Sequence, residues 1–388
     1  MASEGSTASS RRYIYLLPLL RSPMYTVGAA FLVFLAFGAG YNILAGEYTL
    51  EQFIQQLIFG LSQGSIYSLI ALGYTLVYGI LFMINFAHGE VFMAGAYMGF
   101  FTIYGFQQSG FLEEHTFLAL GGTLLAGMLA SVIIAVLLER IAYRPLRNAP
   151  RLVPLITAIG ASITLQELFK LLFGASARRF PDIQLFVLQG AFKGATCRVV
   201  RGEELCSDGI DIVGGIYNVN ILGMELTVRP ISFVVFFISL AIMLSLWFFI
   251  QRTKTGRAMR AVAEDKNTAA LMGINVDRTI VTTFILGAML AGAGAVLFSM
   301  IPGNGQIESR MGFFPGIKAF TAAVIGGIGN VPGAMFGGLF LGVAESVGPS
   351  ILGLSNQLKD VVSFGLLVLV LIFRPTGFFG EVLSEEKV

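Results

Sequence analysis

Apolar residues come in runs of about 20, separated by short polar or glycine-rich breaks, and this rhythm persists along the chain. A run of that length crosses a bilayer core as an α-helix. Spans are expected at Met24–Ala45, Phe53–Ile84, Val91–Phe106, Phe117–Leu138, Leu152–Phe173, Ile231–Ile250, Thr279–Ile301 and Leu358–Phe373. Phe53–Ile84 is too long for a straight crossing and must tilt or break. The apolar region Ile317–Val347 is interrupted by GGIGNVPG, so it either enters and returns to one side or forms two spans. The fold class expected is an all-α polytopic membrane protein, with about eight transmembrane helices plus a broken, re-entrant or half-helix element.

Two breaks stand out. INFAHGEVFMAGAYMGF and GIGNVPGAMFGGLFLGVAE each place a polar, glycine-containing interruption ahead of a helix rich in small residues. The likeness hints at an internal repeat, of the inverted kind found in many transporters. Small-residue spacings such as Gly60/Gly64, Gly95/Gly99, Gly333/Gly337 and Gly338/Gly342 mark faces where helix backbones approach closely.

Composition agrees with the pattern. Of 388 residues, 55% are hydrophobic and 12% charged, and mean hydropathy is +0.79. A soluble fold carries roughly 25% charged residues, so lipid must be the solvent for much of this surface. The 47 glycines exceed the ~27 expected at average usage. A net charge of +2 says little, but its distribution says more. The leader (Arg11, Arg12, Arg21), the loop Glu139–Arg151 and the loop Gln251–Arg278 are all rich in Lys and Arg. Even spacing of spans puts them on one side, the cytoplasm, with both termini. The charge-balanced segment 174–229 then falls outside. Three parts follow: a leader with an additional helix (1–50), a permease domain (51–373) and a cytoplasmic tail (374–388). The RRYIYLL leader reads as a basic anchor, since the apolar run after it is too long for a cleaved signal.

Candidate chemistry is sparse. No GxxxxGK[ST], HExxH or clustered Cys/His pattern is present, so neither a nucleotide site nor a metal site is expected in this chain. No paired carboxylates or Ser/His arrangement sits at mid-span, which speaks against an enzyme. His88, Glu90, Glu167, Lys170 and Glu345 lie within or beside spans. Such groups are functional candidates because burying them is costly, although Glu167 and Lys170, one turn apart, read first as a local ion pair. Asn85, His88, Gly89 and Glu90 at one break, and Gly329, Asn330 and Gly333 at the other, are candidates for a substrate path, or else caps of broken helices. Few ionisable groups at mid-span disfavour an ion-coupled carrier, so the energy must come from a partner. In the loop Gln251–Arg278, the stretch RAMRAVAEDKNTAALMG can form a mildly amphipathic helix that docks on one, with Gly273 as its C-cap. The alternative for this loop is a solvated basic turn at the lipid headgroups.

At these residues the chain resembles the LivH-type permeases of branched-chain amino acid ABC importers. GRAMRAVAEDKNTAALMGIN, INFAHGE, ERIAYRPLR, KAFTAAVIGGIGNVPGAMFGG and KDVVSFGLLVLVLIFRPTG occur in the family's order, from about Leu50 to the C-terminus. The resemblance implies a paralogous LivM-type permease, two cytosolic ATPases carrying Mg-ATP, and a periplasmic protein delivering Leu, Ile or Val across the inner membrane. It implies no cofactor in this chain and no nucleic-acid partner. Related permeases serve urea, amides and other amino acids. The resemblance makes Gln251–Arg278 the ATPase coupling loop, with Arg257, Arg260, Glu264, Asp265 and Gly273 matching. The importer signature there is partial, since Ala269 and Ala270 precede Gly273 without the usual Glu. The helix Met24–Ala45 is an addition to the family pattern, and the outer loop is long. Its Cys197 and Cys206 are candidates for a disulfide in an oxidising compartment.

Overall fold

In the computed structural model, the residues described are 48–380, except 148, 151, 302 and scattered positions within 182–223, with 38, 40, 42 and 46 ahead of them. The expected span Met24–Ala45 lies outside the described residues apart from three helical positions, and so do 381–388.

Helix α1 (Leu50–Leu81) starts at a capping box in which Gln52 N–H donates to Thr49 Oγ1 at 3.3 Å and Thr49 N–H donates to Gln52 Oε1 at 3.2 Å. It runs 32 residues without a break, about 48 Å at 1.5 Å per residue. It stops at Phe82, whose φ of 54° is left-handed in a residue with a bulky side chain. Then follow α2 (His88–Gln108), the one-turn α3 (Phe111–Glu114) and α4 (Thr116–Leu138), which passes through a π-helical turn (Glu139–Tyr143) and a 3₁₀ turn (Arg144–Leu146) before α5 (Leu152–Phe173). His88, Gly89 and Glu90 form the first turn of α2, three residues ahead of the expected helix start. At this buried site a helical turn satisfies backbone polar groups that a loop would leave open.

The segment after α5 holds β1 (Arg178–Arg179), β2 (Phe186–Val187), β3 (Thr196–Val200), β4 (Glu203–Ser207), β5 (Ile210–Asp211), β6 (Tyr217–Ile221) and β7 (Met224–Val228). β3 pairs with β4 and β6 with β7 as antiparallel hairpins, and β2 pairs with β5. The chain continues through α6 (Pro230–Arg252), α7 (Lys254–Glu264), α8 (Lys266–Leu271) and α9 (Val276–Met300). After α9, β8 (Gln306–Ile307) pairs with β1, which joins the two loops at that end. Last come α10 (Phe313–Gly326), α11 (Val331–Ile351) and α12 (Lys359–Phe373).

Glycine sets the core. α1 and α11 are antiparallel and touch through backbone: a Cβ on Gly64 would lie 2.8 Å from Gly338 O, and one on Gly60 2.9 Å from Gly342 O. Ser68 Oγ reaches Met335 O at 2.8 Å along the same seam. Contact this close replaces the hydrophobic drive that helices lack in lipid. A second seam joins α2, α4 and α9, where a Cβ on Gly95 would lie 2.6 Å from Ser131 Oγ and 2.8 Å from Gly292 Cα. α1, α9 and α11 are largely enclosed, whereas α4, α5, α6 and α12 expose Leu129, Ile133, Ile156, Phe237 and Ile372 as a lipid-facing belt.

Seven described helices are long and apolar enough to cross a membrane, and α10 is a shorter apolar one of 14 residues. At ~21 Å it is shorter than a ~30 Å hydrocarbon core. The broken element expected over Ile317–Val347 is thus a half-length helix turning into the full-length α11. α2 and α11 both run parallel to α9's direction, since α9 and α11 are each antiparallel to α1. The helices that follow the two breaks thus point the same way through the bundle.

Candidate functional site

Two helix N-termini converge inside the bundle. α2 starts after Ala87 and α10 after Gly312, and neither N-cap residue makes a side-chain capping bond. Gly89 and Gly312 are in backbone contact, and a Cβ on Gly316 would lie 3.1 Å from Gly89 Cα. Beside this contact is a cavity of about 370 Å³. Tyr74, Phe86, Gly89 and Glu90 line one side, Ile159, Ser162, Ile163 and Gln166 of α5 the second, and Gly312, Phe313, Gly316 and Ile317 the third.

Glu90 is 1% exposed. Its Oε1 accepts from Gln166 Nε2 at 2.7 Å and from Ser162 Oγ at 3.0 Å. Glu90 Oε2 has no hydrogen-bond partner among the described residues. His88 stands behind the cavity, its ring edge-on to Tyr74 at 4.8 Å, in space left free by Gly73. Asn85 Oδ1 accepts from the Tyr143 hydroxyl at 2.5 Å.

The second break lies at the far end of α10. Asn330 caps α11 by accepting from Gly333 N–H at 2.9 Å, and its amide donates to Phe379 O at 3.1 Å. Phe378 N–H donates to Ile325 O at 2.8 Å. Gly329, at φ 95°, makes the turn and faces Gly79 of α1. Gly329, Asn330 and Gly333 do not line the cavity. The residues that meet the first break are Gly312–Ile317, of which only Ile317 fell within an expected apolar element. Their signal was Gly312 and Gly316 at helical spacing, with Ser162 and Gln166 likewise spaced on α5.

The loop between α6 and α9 is helical. Thr253 caps α7 by accepting from Gly256 N–H at 3.0 Å. Asp265 caps α8 by accepting from Asn267 N–H at 2.8 Å and from the Thr268 hydroxyl at 2.5 Å. The Thr268 hydroxyl, then the backbone N–H groups of Thr268 and Asn267, hold the Asp265 carboxyl below its ordinary pKa. Gly273, at φ 83°, closes α8, with Ile274 N–H donating to Ala269 O at 3.0 Å. Met259, Val262 and Ala269 are turned inward, while Arg257, Arg260, Glu264, Asp265 and Gly273 are exposed. Leu271 and Met272 stand out at the tip, 88% and 79% exposed.

A chain of contacts links this loop to the first break. Asp277, in the first turn of α9, meets Arg144 at 3.3 Å and also Arg147, which in turn binds the fully buried Glu139. Glu139 opens the π-helical turn that ends at Tyr143, the partner of Asn85. Lys266 of α8 lies over the Phe82 ring at 5.9 Å. Burial, and then the Arg147 charge, lower the Lys266 pKa. The two basic loops thus meet at one end of the molecule.

A buried charge cluster was also missed by sequence reasoning. Lys318 Nζ lies 2.6 Å from Glu345 Oε1 and 2.7 Å from Asp360 Oδ1. The Asp360 contact is an ion pair without hydrogen-bond alignment. Glu167 and Lys170 form the expected local pair at 3.3 Å, with Arg310 3.8 Å from the same carboxylate. Among the described residues, no group of His, Cys, Asp or Glu could hold a metal ion.

Residues 56–371 match the family described as branched-chain amino acid transport system / permease component. The chain is 44% identical over 346 residues to the high-affinity branched-chain amino acid transport system permease protein BraD of Pseudomonas aeruginosa, covering 87% of this chain and 98% of that one. It is 43% identical over 340 residues to LivH of Salmonella typhimurium, with the same coverage. It is 23% identical over 317 residues to a probable LivH of Methanocaldococcus jannaschii. No solved structure matches.

Proposed function

The chain belongs to the branched-chain amino acid transport system permease family, and from this we propose that it carries branched-chain amino acids inward across the bacterial inner membrane beside a paralogous permease. It is a multi-pass membrane protein and a transport subunit, not an enzyme. The observation that carries the reading is the match over residues 56–371, which spans every described full-length helix except the ends of α1 and α12. Mg-ATP is hydrolysed on two cytosolic ATPases, and a periplasmic protein delivers the amino acid. The basic end then faces the cytoplasm, and the β-hairpins of 174–229 face the periplasm. The test is uptake of leucine by the chain reconstituted with its permease partner, ATPases and binding protein. ATP-dependent uptake is expected. Uptake by this chain alone, driven by an ion or proton gradient, would overturn the reading.

We infer that α7 and α8 carry the ATPase contact. The loop exposes Arg257, Arg260, Glu264 and Asp265 and, at its tip, Leu271 and Met272, which no described residue covers. Exposed apolar residues at such a density mark a contact surface. The double variant Leu271→Glu/Met272→Glu is expected to cut ATP-driven uptake at least ~10-fold, a loss of about 1.4 kcal/mol of coupling, with the ATPases lost on co-purification. Full uptake with the ATPases still attached refutes the assignment.

In β3 and β4, Cys197 stands directly opposite Cys206. Opposed residues of this kind have Cβ atoms about 4.5–5.5 Å apart, close to disulfide range. We propose that the two are joined in the periplasm, closing the hairpin. Peptide mapping without reductant is expected to find the linked pair. Alkylation of both thiols in untreated protein would show that the bond is not made.

A further inference from the structure

The cavity between α2, α5 and α10 brings together three chemistries. Glu90 is enclosed, and only its Oε1 is engaged, by Ser162 and Gln166, whereas Oε2 is without a partner among the described residues. A carboxylate held away from water with an unpaired oxygen is costly, and a cation in the adjoining space removes that cost. Lys318 on α10 does not supply it, because Glu345 and Asp360 engage its ammonium. Next to Glu90, the N-termini of α2 and α10, which have no side-chain cap, meet at Gly89 and Gly312. The His88, Glu90 and Phe313 N–H groups turn back to Asn85 O, Ala87 O and Arg310 O, whereas those of Gly89 and Phe314 have no backbone acceptor among the described residues. Helix N-termini present backbone N–H groups and partial positive charge, which favour an anion. The remaining wall is apolar, from Tyr74, Ile159, Ile163 and Ile317.

A ligand matching all three carries a cation and an anion a few bonds apart, with an aliphatic group. We propose that this cavity is a station for the head group of an α-amino acid in transit. Glu90 Oε2 takes the α-ammonium, the N-terminal turns of α2 and α10 take the α-carboxylate, and the Ile and Tyr wall takes the branched side chain. The assignment rests on the importer reading. It predicts that a branched-chain 2-oxo acid, which keeps the carboxylate and side chain but lacks the ammonium, is not held.

The experiment uses the complete transporter in vesicles, with Ile163→Cys as a reporter in the cavity wall and Ile159→Cys as a second. Modification by a methanethiosulfonate reagent is followed against the same complex without the reporter. Saturating leucine is expected to slow modification on the order of tenfold, and 4-methyl-2-oxopentanoate is expected to leave it unchanged. Glu90→Gln, which retains a group to bond Ser162 and Gln166, is expected to abolish the protection, and Glu90→Asp to restore part of it. Assembly of each variant is verified by co-purification of the partner subunits. Equal protection by the oxo acid, protection that persists in Glu90→Gln, or failure of leucine to protect either reporter each overturns the assignment. Lack of ATP-driven leucine uptake by the unsubstituted complex would instead sink the importer reading.

Discussion

Gly342→Leu is expected to abolish the folded protein, while Gly121→Leu is tolerated. Both glycines lie in transmembrane helices of similar composition, but a Cβ on Gly342 would run into the Gly64 backbone and the Gly60 carbonyl. Those atoms belong to α1, which is packed on all sides over its central turns and cannot retreat. Overpacking a core usually costs about 1–3 kcal/mol when side chains can yield. Here the obstacle is backbone, so the loss should exceed ~4 kcal/mol, the range of structure-breaking changes. Gly121 has nothing within 4 Å of its Cβ position, and replacing it removes a residue of poor helix propensity. Monodisperse yield after detergent extraction, with a thermal unfolding profile, separates the two. A monodisperse Gly342→Leu protein with the wild-type profile would show that α1 and α11 are not joined by this seam.

Lys318→Met should be nearly as severe, for an electrostatic reason. Lys318 and Glu345 are both buried, 2.6 Å apart, with Asp360 at 2.7 Å on the other side of the ammonium. Removing the lysine leaves two carboxylates facing each other with no counter-charge, and breaking a buried pair in this way costs about 3–5 kcal/mol. Replacing Glu345 by Met at the same time removes half of the uncompensated charge. The double variant Lys318→Met/Glu345→Met is therefore expected to be more stable than Lys318→Met alone. Thermal unfolding of the single and double variants checks the order. If Lys318→Met is the more stable, the cluster is not a charge-compensated unit.

The helical character of the loop Gln251–Arg278 was legible because its signals are local. Thr253, Asp265 and Gly273 act as caps on their own neighbours. Within it Val262 turns inward with Met259, and Leu271 and Met272 project at the tip. The first break was likewise recognisable from Asn85 to Glu90, although His88 and Glu90 belong to the opening turn of a helix. The second break looked equivalent, but Asn330 and Gly333 spend their polar groups capping α11.

Lys318 and Gly312–Gly316 escaped notice for a common reason. Each gains meaning only from residues far away in the chain: Glu345 and Asp360 for the lysine, and Gly89 for the glycines. An isolated Lys near a span end reads as one that reaches back to the interface, and glycines after a proline read as loop.

By itself the sequence determined that this chain lives in lipid, where most of its described long apolar helices lie, which loops are basic and what family it belongs to. Those are properties of composition, run length and ordered local motifs, and the solvent enforces them residue by residue. Only the tertiary structure decided that the N-terminus of α2 meets that of α10 rather than the turn before α11, that Glu90 keeps an unpaired oxygen beside a cavity, and that Lys318 is buried between two acids. In lipid the hydrophobic effect does not choose among helix neighbours. The choice falls to backbone-close glycine seams and to the pairing of buried polar groups, and both depend on which helices happen to be adjacent.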